Sequence, residues 1–192
     1  MTVDSHKGMS PDRERSCVRD AKKGDHRAFS DLVRAHQKRI YHLIYRFCPD
    51  HDTADELAQE TFVKAYENLH TFREEYRFGS WISAIASNLA INYLKHQKRQ
   101  VSMQDYPIDE IVEDTNPSRN PSSALSDKEL REKLKKEVDN LPPEYKAAFV
   151  LRMYEDLSYD EIAKRLKIEV GTVMSRLFRA RSRLKKALQE FM

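Results

Sequence analysis

The chain has 192 residues, room for one domain or two small ones, and a formal net charge of only +3, too mild to reveal a partner unless the charge is unevenly distributed. Charged residues make up 34% and only four residues are glycine, a balance that suits exposed helices better than sheets with many tight turns, so the expected fold class is all-α. Cys17 and Cys48 stand far apart with no CxxC pair, which argues against a disulfide framework or a zinc site, and no apolar run approaches the roughly 20 residues of a membrane span. Stable membrane insertion is therefore not expected, and the cytoplasm is the expected location.

Residues 1–15 carry Gly8, Pro11 and mixed charges without periodicity or an apolar h-region, and read as a disordered tail. Over residues 28–47, Phe29, Leu32, Val33, Ile40, Leu43, Ile44 and Phe47 recur at helical spacing, and Pro49 and Asp50 end that helix. A second helix is predicted over 53–69, with Ala54, Leu57, Ala58, Phe62, Ala65 and Leu69 on one face and Glu56, Glu60 and Glu67 opposite. The aromatic, charged stretch 71–79 has no period. Ser80 is the expected cap of a third helix whose Ile82, Ile85, Ala86, Leu89 and Tyr93 point inward, completing a first domain over 16–99.

Residues 100–125 hold Pro107, Pro117 and Pro121 with Asp105, Asp109, Glu110, Glu113 and Asp114, and read as a flexible acidic linker. A second domain over 126–192 opens on a Ser126–Glu129 capping box before Leu130, Leu134 and Val138. Pro142 and Pro143 restart the chain for a helix over 145–153, and Ser158 with Glu161 caps a short helix through Ile162 and Leu166.

A tight connection over 167–171, ending on Gly171, then leads into an unbroken helix over 172–190. Short helix, glycine-containing turn and longer helix make the layout of a helix-turn-helix, whose second helix enters the DNA major groove. On a helical wheel Val173, Leu177, Ala180, Leu184 and Leu188 fall inward, leaving Ser175, Phe178, Arg179, Ser182 and Lys186 outward. Phe178 suits a thymine methyl and Arg179 the O6 and N7 of guanine, while Arg176, Arg181, Arg183 and Lys185 flank that face within reach of phosphates. Residues 171–186 carry six basic side chains and no acidic one, the electrostatic footprint that the whole-chain average hides; a merely solvated basic helix is the plainer alternative.

The stretch LPPEYKAAFVLRMYEDLSYDEIAKRL, followed by GTVMSRLFRARSRL, resembles region 4 of bacterial RNA polymerase sigma factors of the extracytoplasmic-function (ECF) group. DELAQETFVKAYENL and FGSWISAIASNLAINYL resemble region 2 of the same group. The resemblance implies a sigma factor: two helical domains that bind core RNA polymerase, through the beta-prime clamp coiled coil and the beta flap, and contact the minus-thirty-five and minus-ten elements of promoter DNA. It makes Ser175, Phe178 and Arg179 readers of the upstream element, with Arg176 on the backbone and Arg183 and Lys186 on the same DNA-binding helix. Relatives often carry a basic residue where this chain has Met174, whose thioether makes no bidentate contact to guanine.

Opening a promoter requires catching unpaired bases on aromatic surfaces and polar groups. Phe72, Tyr76, Phe78 and Trp81 supply aromatics for the minus-ten element, although Phe78 and Trp81 sit beside apolar residues as core side chains also do. Asn88, Asn92, Lys95 and Arg99 form one stripe at helical spacing, amides first and cations last, suiting a base contact followed by phosphate anchors. By resemblance, the loop 71–79 holds a flipped base with Asn88 nearby, and Asp55, Glu56, Gln59 and Glu60, otherwise an ordinary solvated face, bind core polymerase. The resemblance also brings an anti-sigma factor, nucleoid association when polymerase-bound, and negative charge in the linker near the RNA exit path.

An enzyme would need a nucleophile with its base, a phosphate-cradling loop or metal ligands, and none is legible; no cofactor is expected. His26, His36 and His42, with Cys48 beyond, share no ligand motif. The closer rival is a stand-alone helix-turn-helix regulator, which would place a ligand pocket or dimer interface in the first half of the chain rather than aromatics and amides.

Overall fold

The computed structural model describes residues 9–101 and 127–189, and all regular structure among them is helical. The helices are α1 (Pro11–Lys22), α2 (His26–Phe47), α3 (His51–Glu67), α4 (Phe78–Val101), α5 (Asp127–Asp139), α6 (Pro143–Met153), α7 (Tyr159–Leu166) and α8 (Val170–Leu188), with a 3-10 turn at Leu69–Thr71. The chain divides into two compact units, Met1–Ala90 and Ile91–Met192, which part within α4 rather than at residue 99.

In the first unit α2 packs against both α1 and α3. Val18, Leu32, Ile40, Leu43, Ile44, Phe47 and Ile82 are almost wholly removed from water; of the apolar stripe read from α2, Leu32, Ile40, Leu43, Ile44 and Phe47 are buried and Phe29 and Val33 half-buried. The starts of α1, α2 and α3 are capped by side chains. Ser10 accepts from the Arg13 amide ahead of Pro11 at the first helical position, Asp25 from the Arg27 and Ala28 amides at 2.8 and 3.2 Å, and Asp50 from the Thr53 amide at 2.8 Å. Gly24, at φ 95°, makes the left-handed step between α1 and α2 that a side chain would resist.

Three expectations for the helices of this unit are corrected. The stretch read as a tail is helical from Pro11 onward, because Cys17, Val18 and Ala21 share a face that α2 covers. Only three apolar residues in twelve make that face, too few to show as a period. The third helix starts at Phe78, two residues before the expected cap Ser80, because Phe78 itself is buried against Phe72, Trp81 and the His36 ring.

The inward face of α4 is also rotated from the expected one. Ile82 and Ala86 are buried as foreseen, but Ile85, Leu89 and Tyr93 are only half-buried, and the covered stripe continues through Ser83, Ser87, Ala90, Ile91 and Leu94. Serine belongs to a core when its hydroxyl returns to the helix backbone, and Ser87 Oγ donates to the Ser83 carbonyl at 2.8 Å. Thr61 does the same toward Leu57 at 2.7 Å.

In the second unit α8 packs against α5, α6 and α7. Val150, Leu151, Ile162, Val173, Leu177 and Ala180 form its innermost layer. The Ser158–Glu161 capping box is present in both directions: the Ser158 hydroxyl accepts from the Glu161 amide at 3.3 Å and the Glu161 carboxylate from the Ser158 amide at 2.8 Å. Arg152 Nη1 donates to the Leu157 carbonyl at 3.0 Å and its guanidinium lies over the Tyr159 ring, holding the entry to α7. The expected linker from residue 102 onward and the serine of the Ser126–Glu129 box lie outside the described residues, as do residues 1–8.

The turn between α7 and α8 differs in which residue makes it. Lys167 takes the left-handed conformation (φ 57°, ψ 52°), with the Ile168 amide returning to the Ala163 carbonyl at 3.0 Å, and α8 has already begun at Val170. Gly171 therefore sits in the first turn of α8 and not in the connection. A glycine near a helix boundary marks the turn only if its φ is positive, and Lys167 takes that role here.

Candidate nucleic-acid interface

The wheel of α8 is realised in the structure. Val173, Leu177, Ala180 and Leu184 are buried and Leu188 half-buried, while Met174, Ser175, Phe178, Arg179, Ser182, Arg183 and Lys186 are exposed and Arg176 intermediate. Phe178 is 66% exposed, a large aromatic left in water between Ser175 and Arg179. Ser175 Oγ donates to the Thr172 carbonyl at 3.0 Å, leaving the oxygen's lone pairs for an outside donor.

One neighbour of this face was not foreseen. Tyr145, in the first turn of α6, is buried, but its hydroxyl accepts from Arg179 Nη1 at 3.2 Å and its ring lies 5.9 Å beneath the Arg183 guanidinium. No spacing rule relates residues 145 and 179 across two helices, so the sequence alone gave no sign of this contact.

In the first unit the four aromatics separate. Tyr76 is 61% exposed and Trp81 half-buried, whereas Phe72 and Phe78 are core residues that close against each other (5.8 Å between ring centroids) and against Trp81. The expectation that all four present stacking surfaces is corrected: Phe72 and Phe78 support the loop and Tyr76 and Trp81 are its accessible rings. Asn88, Asn92 and Lys95 are exposed along one side of α4; the Arg99 side chain lies outside the described residues.

Two contacts hold this loop. Lys22 Nζ donates to the Phe72 carbonyl at 2.6 Å and lies 5.7 Å from the Phe72 ring centroid, tying the loop to the end of α1. At the other end a Cβ on Gly79 would stand 3.2 Å from Arg39 Nη1 and from His36 Cε1, so any side chain there would make those two side chains give way by a few tenths of an ångström. Beside the loop is a cavity of about 530 Å3 whose lining includes Glu14, Arg15, His36, Arg39, Tyr76 and Arg77. His36 Nε2 donates to Glu14 at 2.8 Å. Burial lowers the His36 pKa from the usual histidine value, outweighing the opposing pull of Glu14, and Arg39 lowers it further.

Asp55, Glu56, Gln59 and Glu60 are all exposed on α3, with Glu60 paired to Lys64 at 3.2 Å. Asp55 and Gln59 also line an open groove of about 360 Å3 with Val33, Tyr41 and Phe62. His26 is bonded to the Tyr66 hydroxyl at 3.0 Å, both cysteines are free and buried, and no group of three metal-ligating side chains occurs among the described residues.

A basic-faced helix-turn-helix in one unit and, in the other, a helical unit whose aromatic loop leads into a helix exposing Asn88 define a two-module transcription factor. Comparison with known proteins makes this specific. Residues 32–100 match the Sigma-70 region 2 family and residues 131–184 the Sigma-70, region 4 family. The RNA polymerase sigma-H factor of Pseudomonas aeruginosa is 36% identical over 186 residues, covering 94% of this chain and 96% of that protein. The ECF RNA polymerase sigma-E factor of Escherichia coli K12 is 36% identical over 179 residues, covering 90% and 92%. Two solved structures share the fold: CnrH in complex with the cytosolic domain of CnrY (TM-score 0.56, 21% identity, 93% of this chain and 98% of that one) and RpoE in complex with the anti-sigma factor NepR from Bartonella quintana (0.57, 24%, 84% and 96%). The chain belongs to the sigma-70 family, in its ECF group, and functions as an RNA polymerase sigma factor. A region 2 match in the first half disfavours the stand-alone regulator.

Proposed function

We propose that the chain works as a sigma factor in four residue-level steps. The α3 face of Asp55, Glu56, Gln59 and Glu60 docks on the beta-prime clamp coiled coil of core RNA polymerase, with the second unit meeting the beta flap. α8 lies in the major groove of the minus-thirty-five element, where Ser175, Phe178 and Arg179 meet base edges and Arg176, Arg183 and Lys186 meet phosphates. Tyr76 and Trp81 stack on unpaired minus-ten bases, Asn88 and Asn92 read their edges, and Lys95 and Arg99 anchor the strand. Phe72 and Phe78 act by holding that loop. Catalysis of RNA synthesis belongs to the polymerase, and the factor works in the cytoplasm on the nucleoid.

The observation that carries this reading is the outward face of α8. Phe178 and Arg179 stand in solvent on a helix whose opposite stripe is fully engaged, and 171–186 carry only positive charge. The complex of the sigma factor RpoE with the anti-sigma factor NepR supports an anti-sigma partner for this chain as well, and among the described residues no helix is long and apolar enough to cross a membrane. The test is transcription in vitro: the purified chain is added to sigma-free core polymerase with fragmented genomic DNA, and transcript starts are mapped. Discrete starts are expected, lost with Arg179→Ala and with joint Asp55→Ala and Glu56→Ala. Absence of starts, with the chain alone protecting a palindromic duplex, would refute it.

A further inference from the structure

Lys22 joins the end of α1 to a loop 50 residues further along the chain. Its own base is rigid. Val18 and Ala21 bury the inner face of that last turn, and the corner into α2 is closed by the Gly24 amide on the Ala21 carbonyl at 3.0 Å and the Asp25 amide on the Asp20 carbonyl at 3.1 Å. From this corner Nζ donates to the Phe72 carbonyl at 2.6 Å, 5.7 Å from the centroid of the Phe72 ring. A lysine gives up much rotamer freedom to hold one such geometry, and a bond from an ammonium is among the stronger ones that offset the loss.

Phe72 is where the loop 72–77 leaves the core. Its ring is buried against Phe78 and Trp81, at 5.8 and 5.2 Å between centroids, and its amide donates to the Leu69 carbonyl at 3.1 Å. These contacts fix the residue up to its α-carbon. The peptide unit beyond is planar, so one rotation, ψ of Phe72 at 131°, sets where the carbonyl points and which way residues 73–77 set out. The bond from Lys22 holds that rotation. Further along, the Tyr76 amide turns back onto the Arg73 carbonyl at 3.1 Å and the Tyr76 ring stands in solvent. We propose that Lys22 is a positioning residue for promoter opening: by fixing the Phe72 peptide plane it sets the course of the loop and so presents the Tyr76 ring where an unpaired base can stack. The proposal rests on Tyr76 being a stacking surface for the minus-ten element. A direct phosphate contact is the other use of an exposed lysine, and salt separates the two, since each phosphate contact adds about one to the slope of log affinity against log salt.

The test uses the full-length chain on core polymerase and a promoter whose transcript start has been mapped, carrying 2-aminopurine in its minus-ten element; the fluorescence gained as that base unstacks gives the opening rate. Tyr76→Ala should slow opening. Lys22→Met, similar in length but without the donor, should slow it about two- to tenfold, the worth of one such hydrogen bond, and leave the affinity of the closed complex, its salt slope and the thermal midpoint of the chain unchanged. Lys22→Arg, which still donates, should restore most of the rate. In a Tyr76→Ala background Lys22→Met should slow opening no further. Unchanged opening in Lys22→Met beside slow opening in Tyr76→Ala would overturn the role of Lys22 and leave the Tyr76 assignment standing. A shallower salt slope in Lys22→Met would make the lysine a phosphate contact and overturn the proposal. So would a lowered midpoint, or a slowing that persists in full in the Tyr76→Ala background, either of which would make it a general support of the unit. Normal opening in Tyr76→Ala would refute the reading on which the proposal rests.

Discussion

Substituting the two residues at the helix-turn-helix junction separates the geometry of the structure from the one the sequence suggests. If Gly171 made the turn, Gly171→Ala would force a side chain into a left-handed conformation and destabilise the unit by about 1–2 kcal/mol. In the structure Gly171 is in the first turn of α8 with ordinary helical φ, and a Cβ there would meet nothing within 4 Å. The same substitution should then stabilise by about 0.5–1 kcal/mol, through helix propensity and a less flexible unfolded chain. Lys167, which does occupy the left-handed region, should behave as the turn residue: Lys167→Gly relieves about 1–2 kcal/mol of strain, partly offset by unfolded-state entropy, and Lys167→Val adds strain. Hydrogen exchange on the full-length chain reads both effects locally. Amides of α7 and α8 should gain about two- to fivefold protection in Gly171→Ala and in Lys167→Gly, and lose it in Lys167→Val. Loss of protection in Gly171→Ala would refute the assignment of the turn to Lys167.

Phe78→Ala should cost about 3–5 kcal/mol, seen as a lower unfolding midpoint by fluorescence of the single tryptophan, Trp81, whereas Tyr76→Ala should leave that midpoint within about 0.5 kcal/mol and instead slow promoter opening. His36 gives a pH dependence. Its folded pKa lies below its unfolded one, so the unfolded chain binds the proton first and the contribution to stability, full above about pH 6.5, is lost as pH falls toward the folded pKa. The Trp81-monitored midpoint should therefore fall on acidification through that range, and more shallowly in His36→Phe. Ser158→Ala removes one half of the capping box and should cost about 0.5–2 kcal/mol, measured as lost protection in α7.

The helices with wide, regular apolar stripes were legible in the sequence: α2 and α8 bury most of the faces their periodicity names, with Phe29, Val33 and Leu188 at the half-buried edges. What escaped was decided by a few atoms. The face of α1 rests on Cys17, Val18 and Ala21 alone, and the face of α4 is turned by the buried Ser83 and Ser87, which read as polar in the sequence; the Ser87 hydroxyl returns to the Ser83 carbonyl. The outward residues of α8 were found because a helical wheel is a local construction. Their support by Tyr145 was not, because it joins residues 34 apart through tertiary packing. Phe72 and Phe78 were drawn into the minus-ten site by their chemistry; only burial distinguishes a ring that stacks on a base from one that stacks on its neighbours.

The separation of the two faces of α8 bears on how such a factor diversifies. Val173, Leu177, Ala180 and Leu184 keep the helix seated, and Met174, Ser175 and Phe178 share no position with them. Surface substitutions of that kind ordinarily change stability by no more than about 0.5 kcal/mol, so the outward face can drift while the scaffold stays above its folding threshold. Arg179 is the less free member because its setting is shared with a core residue. If α8 reads the promoter as proposed, a lineage acquiring a new set of target genes would rewrite residues 174, 175 and 178 first.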